Sequence, residues 1–382
     1  MASGKRRYGL LFWIGVPAGI MAVLFLLFRF ADVPFWRPFW RTYLIGMLAV
    51  VFLLYLFYAL LRLVGGRRFR RAAAIATGIL FLVCVYAMVI STFNIRIDTV
   101  NLGRANPERP VPPGLRGYRI LQISDMHIGS FTSPKQVRRL VQQALNTKPD
   151  MVVFTGDMVN FSTSEILPHL AELAHLRAPD GVYCVLGNHD YGGYVRWADT
   201  SLRRANLQKL LQCYKSIGWT CLNNASVKME RGGDTLHLVG VENWGREKRF
   251  PKKGDLKAAF APSALLETRR SLSAVQDAEP SDTRRRPQVY TVLLSHDPSH
   301  FDSAVYLRYP QVDLTLSGHT HGMQLGLRIK GKDYSPARFV YEHFSGLYVM
   351  ANGQALYVNT GCGFNGIPFR LGMRPCFTLF EL

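Results

Sequence analysis

Residues 119–127 read Arg-Ile-Leu-Gln-Ile-Ser-Asp-Met-His, a short apolar run ending on an acid and a histidine two positions apart. The pattern recurs. Met151–Thr155 runs into Gly156-Asp157, and Val182–Leu186 into Gly187-Asn188-His189-Asp190. Val289–Leu294 leads to Ser295-His296-Asp297, and Val312–Leu316 to Ser317-Gly318-His319-Thr320-His321. Short apolar runs bounded by glycine and polar clusters read as buried strands. Pro134–Asn146 and Ser164–Leu176 carry helical periodicity between them, so the rhythm is βαβαβ and the fold class α/β. Polar side chains at the carboxyl ends of five such strands point into one crevice, where open α/β sheets bind ligands.

Outward from this core, Asn94–Leu102 alternates imperfectly, as an edge strand does, and Asn106–Gly117 is a proline-rich linker. Ala225–Glu242 predicts a hairpin turning at Gly232-Gly233, and Asp255–Val275 predicts a helix. Asp277–Pro287 is charged and reads as a surface loop, and Ala355–Asn359 as a late strand.

The strand-end residues suit metal binding. Asp125, Asp157 and Asn188 offer oxygen, and His127, His296, His319 and His321 offer nitrogen. Mixed oxygen and imidazole donors favour Mn, Zn, Fe, Co or Ni over calcium, and no cysteine pair has the spacing of a thiolate site. Two ions need a bridge, and the Asp157 carboxylate can give one oxygen to each. Alternation along a strand puts His319 and His321 on the same side. Asp190 and Asp297 follow these positions and are placed to orient histidines. His169, His175, His237, His300 and His343 read as surface or packed residues.

In this order the blocks Asp-x-His, Gly-Asp, Gly-Asn-His-Asp, a lone His and Gly-His-x-His resemble the calcineurin-like metallophosphoesterases. The resemblance extends over roughly residues 94–382. Val358-Asn359-Thr360-Gly361 and Pro368-Phe369-Arg370 look like the membrane-anchored bacterial branch of that family. The resemblance implies an αββα sandwich with two divalent metal ions at the strand ends. One ion would be held by Asp125, His127, Asp157 and His321, the other by Asp157, Asn188, His296 and His319. His189 would be the catalytic histidine facing the substrate without binding metal.

The first quarter of the chain is of a different kind. Residues 1–104 hold 13 of the 46 Lys and Arg but two of the 26 acids, a surplus of +11 out of the chain's +20. Tyr8–Phe28, Thr42–Leu61 and Ala72–Ile95 are free of charge, each long enough to cross ~30 Å of hydrocarbon at ~1.5 Å per residue. The expected organisation is three membrane helices over residues 1–95, then the metallophosphoesterase domain over 96–382. Eight basic residues flank the N-terminus and second connection (Lys5 to Arg7, Arg62 to Arg71), against Arg29, Arg37 and Arg41 in the first. The positive-inside rule then places the catalytic domain outside the cytoplasm, on a bacterial inner membrane.

Two inserts bear on substrate. Tyr191–Thr220 interleaves aromatic and leucine residues with Arg196, Arg203, Arg204 and Lys209, and Trp244–Lys257 is basic. Either could meet membrane lipids. The reading is a membrane-anchored dinuclear phosphoesterase acting on the phosphate ester or pyrophosphate bond of a lipid or lipid-linked substrate. A UDP-2,3-diacylglucosamine pyrophosphatase of lipid A synthesis is the alternative, although its substrate faces the cytosol. A nuclease or nucleotide phosphodiesterase and a non-catalytic scaffold are the others. The soluble part's charge is dispersed, which disfavours nucleic acid.

Overall fold

The structure, a computed structural model, describes residues 38–65, 70–272 and 286–382. Contacts divide it into two units: the described residues before Phe93 with Gly366–Phe369, and Phe93–Asn365 with Arg370–Leu382.

The first unit holds helices Pro38–Gly65 and Arg70–Val85, the second continuing through one π turn (Tyr86–Ile90) and Ser91–Phe93. Among the described residues one helix, Arg71–Phe93, is long and apolar enough to cross a membrane. Its Ile75, Ile79, Leu82 and Val89 are each more than half exposed. The expected second span falls in a helix whose apolar part, Leu48–Val64, measures about 26 Å, short of the ~30 Å hydrocarbon layer. Three spans are therefore not matched: one reaches the length, one is shorter, and Tyr8–Phe28 lies outside the described residues.

In the second unit, six strands form one sheet in the order β1 (Arg96–Asn101), β15 (Cys376–Glu381), β2 (Arg119–Ile123), β3 (Met151–Phe154), β4 (Val182–Cys184) and β5 (Thr220–Cys221). The other sheet runs β13 (Gly346–Val349), β14 (Ala355–Val358), β10 (Leu314–Ser317), β9 (Val289–Leu294), β7 (Asp234–Gly240), β6 (Ala225–Arg231) and β8 (Leu265–Arg270). A hairpin of β11 (Leu327–Ile329) and β12 (Lys332–Tyr334) stands apart. Strands β2 to β5 are mutually parallel, as are β14, β10, β9 and β7.

Alternation explains why the strands read as unbroken apolar runs: both faces are buried. Met151 and Val153 face a core shared with Leu236, Val292 and Leu316 of the other sheet. Val152 and Phe154 face outward, beneath helices Pro134–Leu145 and Thr200–Ser216. Beyond the second sheet, Leu293, Leu356 and Val358 pack on Leu256, Phe301 and Val305. The layers are helix, sheet, sheet and helix, a mixed α/β fold. Ser133 opens Pro134–Leu145 with a capping box to Gln136, so that boundary was readable from sequence.

Two expected helices differ. Among the described residues of Asp255–Val275, Leu256–Ala259 is α-helical; Pro262 breaks the segment and opens a 3-10 turn, and Leu265–Arg270 becomes edge strand β8 on β6. Ser164–Leu176 breaks at Pro168 into short 3-10 turns and Leu170–Leu173. The hairpin does turn at Gly232 and Gly233, both with positive φ. Most of the charged loop Asp277–Pro287 lies outside the described residues. All six cysteines are free thiols.

Candidate metal centre

Three of the five strand ends, those after β2, β3 and β10, deliver their polar residues through a tight bend. Asp125, His127, Asp157, His319 and His321 have φ of 50, 43, 59, 73 and 50°. This is left-handed backbone, which costs a non-glycine residue about 1–3 kcal/mol and persists only where the surroundings over-determine it. Here they do. Asp125 N and His127 N donate to the carbonyls of Gly156 (2.9 Å) and Asp157 (3.0 Å), tying one strand end to the next. The buried Asp190 carboxylate accepts from Asp157 N, Met158 N and Gly187 N at 2.9–3.0 Å. It thus clamps two loops, where the sequence suggests that it orients a histidine. Asp297 does sit beside a histidine, its Oδ2 3.7 Å from His319 Nε2. Gly156 is required: with φ of 95°, a Cβ there would lie 2.6 Å from Gly187 N.

All seven sequence-predicted metal-binding residues and His189 converge, and all but His319 are buried. His127 Nε2 lies 3.0 Å from His321 Nε2, and His321 Nε2 lies 3.5 Å from Asp125 Oδ1. On the other side His296 Nε2 is 3.1 Å from Asn188 Oδ1 and 3.3 Å from His319 Nδ1. Between the clusters stands Asp157. Its Oδ2 is 3.7 Å from His127 Nε2 and 3.2 Å from His296 Nε2, while Oδ1 accepts from His189 N at 2.8 Å. One oxygen therefore faces both clusters and the other is occupied by backbone.

The electrostatics fit cations. Burial and neighbouring His189 pull the His127 imidazole down to about 3, and burial pulls His319 down to about 4. Burial, with His127 beside it, also holds His321 well below its ordinary value. These rings are neutral, the form that binds metal. Burial disfavours charge on His296 too, but Asp157 and Asp125 outweigh it and push His296 up to about 10. Burial likewise opposes the Asp157 carboxylate, yet His296 and His189 hold it well below the usual range. Neutral ring nitrogens facing one another at 3.0 Å beside carboxylates form a donor set suited to a divalent ion. The clustered Asp and His side chains could hold a metal in three overlapping groups.

One of those groups includes His189 with His127 and Asp157. His189 is otherwise engaged. Its Nδ1 meets the Asn160 carbonyl at 2.7 Å and its Nε2 the Asn365 side-chain nitrogen at 3.1 Å. Tyr194 stacks on its ring at 4.1 Å and also accepts from Asn188 Nδ2 at 2.7 Å, which turns Asn188 Oδ1 toward His296. Tyr341 Oη lies 3.4 Å from His319 Nε2, and Phe250 meets the His319 ring edge-on at 4.8 Å. Buried Arg370 abuts His321 Nδ1 at 3.0 Å while bonding the Thr360 and Gly363 carbonyls. Sequence reasoning gave no site role to Asn160, Asn365, Tyr341, Phe250 or Arg370. Tyr194 and Phe250 carried a signal as members of the two inserts, and Arg370 as part of the Pro368-Phe369-Arg370 stretch. Beside the site opens a cavity of about 660 Å³ lined by Arg203, Arg204, Lys248, Arg249, Lys252 and Lys253 with no acid.

Residues 118–323 match the profile of the calcineurin-like phosphoesterase family, more than half of the chain. The chain therefore belongs to the calcineurin-like phosphoesterases, and it is a metal-dependent hydrolase of phosphate esters. It is 29% identical over 275 residues to the uncharacterized metallophosphoesterase YkuE of Bacillus subtilis, covering 71% of this chain and 81% of that one. It is 27% identical over 309 residues to a transmembrane protein with metallophosphoesterase domain from Danio rerio. That match covers 80% of this chain but 61% of the relative. A third relative, the UDP-2,3-diacylglucosamine pyrophosphatase LpxG of Chlamydia trachomatis, is 30% identical over 252 residues, covering 56% of this chain and 66% of its own.

Proposed function

We propose that this calcineurin-like phosphoesterase is anchored in a membrane through residues 1–95, with Arg71–Phe93 as a spanning helix. Its domain over 96–382 uses two divalent cations to hydrolyse a phosphate ester or pyrophosphate bond of a lipid or lipid-linked substrate. The observation that carries the reading is Asp157 Oδ2, faced by His127 on one side and His296 on the other. Asp125, His127, Asp157 and His321 would hold one ion, and Asp157, Asn188, His296 and His319 the other, with Asp157 shared between them. Bound divalent cations supply an activated water and neutralise phosphoryl oxygens. The chain's own part is to fix that constellation through Asp190 and Tyr194, to present His189 as acid, and to draw an anion in with the basic cavity. Chelation of the purified full chain should abolish hydrolysis of an aryl phosphodiester, and Mn or Zn should restore it. Turnover that survives complete metal removal would refute the dinuclear reading. A panel of phospholipid, nucleotide and nucleic-acid substrates tests the lipid assignment, which fails if the nucleotide or nucleic acid is turned over fastest.

The LpxG relatives favour a second reading, a UDP-2,3-diacylglucosamine pyrophosphatase, at 28–30% identity. Topology separates the two. A reporter fused after Leu382 is expected to score outside the cytoplasm of a bacterial inner membrane, as the flanking arginines dictate. A cytosolic score would reverse the orientation and favour the pyrophosphatase.

A further inference from the structure

The β11–β12 hairpin has its polarity reversed. Leu327 and Ile329 point outward, 63% and 53% exposed, while Arg328 between them turns in. Arg328 Nε and Nη2 donate to Asp333 at 2.7 and 3.0 Å, and Nη1 donates to Asp98 of β1 at 3.0 Å. Asp333 is buried and also accepts from Ser345 Oγ at 2.6 Å. A half-buried hairpin in water carries its apolar side chains inward and its charges outward. This one does the opposite, and its flanks extend the apolar surface. Met323, Leu325, Tyr334, Val340 and Phe339, the last 84% exposed, are uncovered. Lys330 and Gly331, with φ of 48 and 80°, make the tight turn, so Lys330 and Lys332 stand at the tip and Arg338 beyond. Across residues 323–340 the sole acid is the inward Asp333.

We propose that this face docks on a lipid bilayer, its apolar side chains entering the boundary between head groups and acyl chains and its three bases meeting anionic head groups. Covalent reach and charge favour a bilayer over a second protein. The apolar helix Arg71–Phe93 ends three residues before Arg96, a distance that extended chain limits to about 11 Å. Arg96 and Arg328 share Asp98, at 2.8 and 3.0 Å. The hairpin is thus rooted within short reach of the point where the chain leaves the membrane, on the reading that this helix spans it. The basic rim with no outward acid fits an anionic surface. From Phe339 and Val340 the chain leads directly to Tyr341 beside His319, so a phosphate carried at head-group depth has a short path to the metal centre.

The test uses the full chain in liposomes of phosphatidylcholine with and without phosphatidylglycerol. Ile329→Cys is labelled with the environment-sensitive fluorophore NBD, with identically treated parent protein as background. Leu266→Cys, at an exposed position on β8, serves as the reference. The label at 329 is expected to emit at shorter wavelength and to be quenched at least twofold more by shallow spin-labelled lipid than the label at 266. Phosphatidylglycerol should strengthen both effects. Water-like emission with quenching no greater than at 266, in a chain that floats with the vesicles, would overturn the docking and leave the anchor standing. A shift that follows protein density rather than lipid quenching would assign the face to a second copy and overturn it too. A chain that does not float would overturn both docking and anchor. In activity, Leu327→Asp with Ile329→Asp should lower turnover of a vesicle-borne lipid phosphate about tenfold and leave a soluble aryl phosphodiester unaffected. An equal loss on both substrates would make the hairpin merely structural.

Discussion

Asp157→Asn is expected to strip the site of both metals and lower turnover of an aryl phosphodiester by at least about a thousandfold, roughly 4 kcal/mol of barrier. The fold should survive, because an amide oxygen can still accept from His189 N in place of Oδ1, and the Asp190 clamp uses the backbone of Asp157, not its side chain. What the substitution removes is the negative charge that both histidine clusters face. Two cations a few ångströms apart repel each other strongly in a buried, low-dielectric site, and a shared carboxylate offsets that repulsion. An amide cannot, and its nitrogen would present hydrogens to His127 or His296 where a lone pair is needed. Metal content by mass spectrometry, measured on the same preparation as turnover, checks the prediction. Full two-metal content in the variant would show that Asp157 does not bridge. Loss of metal with retained turnover would show that the ions do not drive the chemistry.

The strands and their order were legible because both faces of each are buried: Met151–Phe154 and Val289–Leu294 could be read as continuous apolar runs. The strand-end residues were legible because their chemistry is written locally, in blocks of two to five residues. What surrounds them was not. Asn365 reaches His189 from 176 positions away and Arg370 reaches His321 from 49, contacts that no local spacing encodes. Asp190 was visible, but its role was misjudged, since clamping two loops depends on how β3 and β4 lie side by side. The helix expected over Asp255–Val275 fails where one residue decides: Pro262 ends the segment, and β6 offers the fragment that follows an edge to pair with. The inverted hairpin escaped notice for a related reason. Leu327, Ile329 and Tyr334 alternate with charge as an ordinary strand does, and only Asp98, over two hundred residues away, shows which face turns inward.

His189→Gln is the substitution expected to leave both metals in place and still lower turnover by about 10²–10⁴-fold, the usual contribution of a positioned acid. The geometry separates this histidine from those of the two clusters. Both its ring nitrogens have partners outside the clusters, and Tyr194 on its face and His127 at its edge (4.8 Å) fix the ring plane. The Asn160 carbonyl can only accept, so Nδ1 carries a hydrogen and Nε2 is the atom available to exchange a proton with substrate. Opposite Nε2 stands the Asn365 amide, whose nitrogen can donate to a neutral ring and whose oxygen, once turned, can accept from a protonated one. A proton given from Nε2 goes to the departing oxygen. The loss should therefore shrink for nitrophenolate, which leaves without protonation, and be largest for an alkoxide. Asn365→Ala should reproduce part of that dependence with a smaller loss, because it removes the partner and not the proton. If His189→Gln loses metal in step with turnover, the residue is a ligand. If good and poor leaving groups suffer equally, it stabilises phosphoryl charge and delivers no proton.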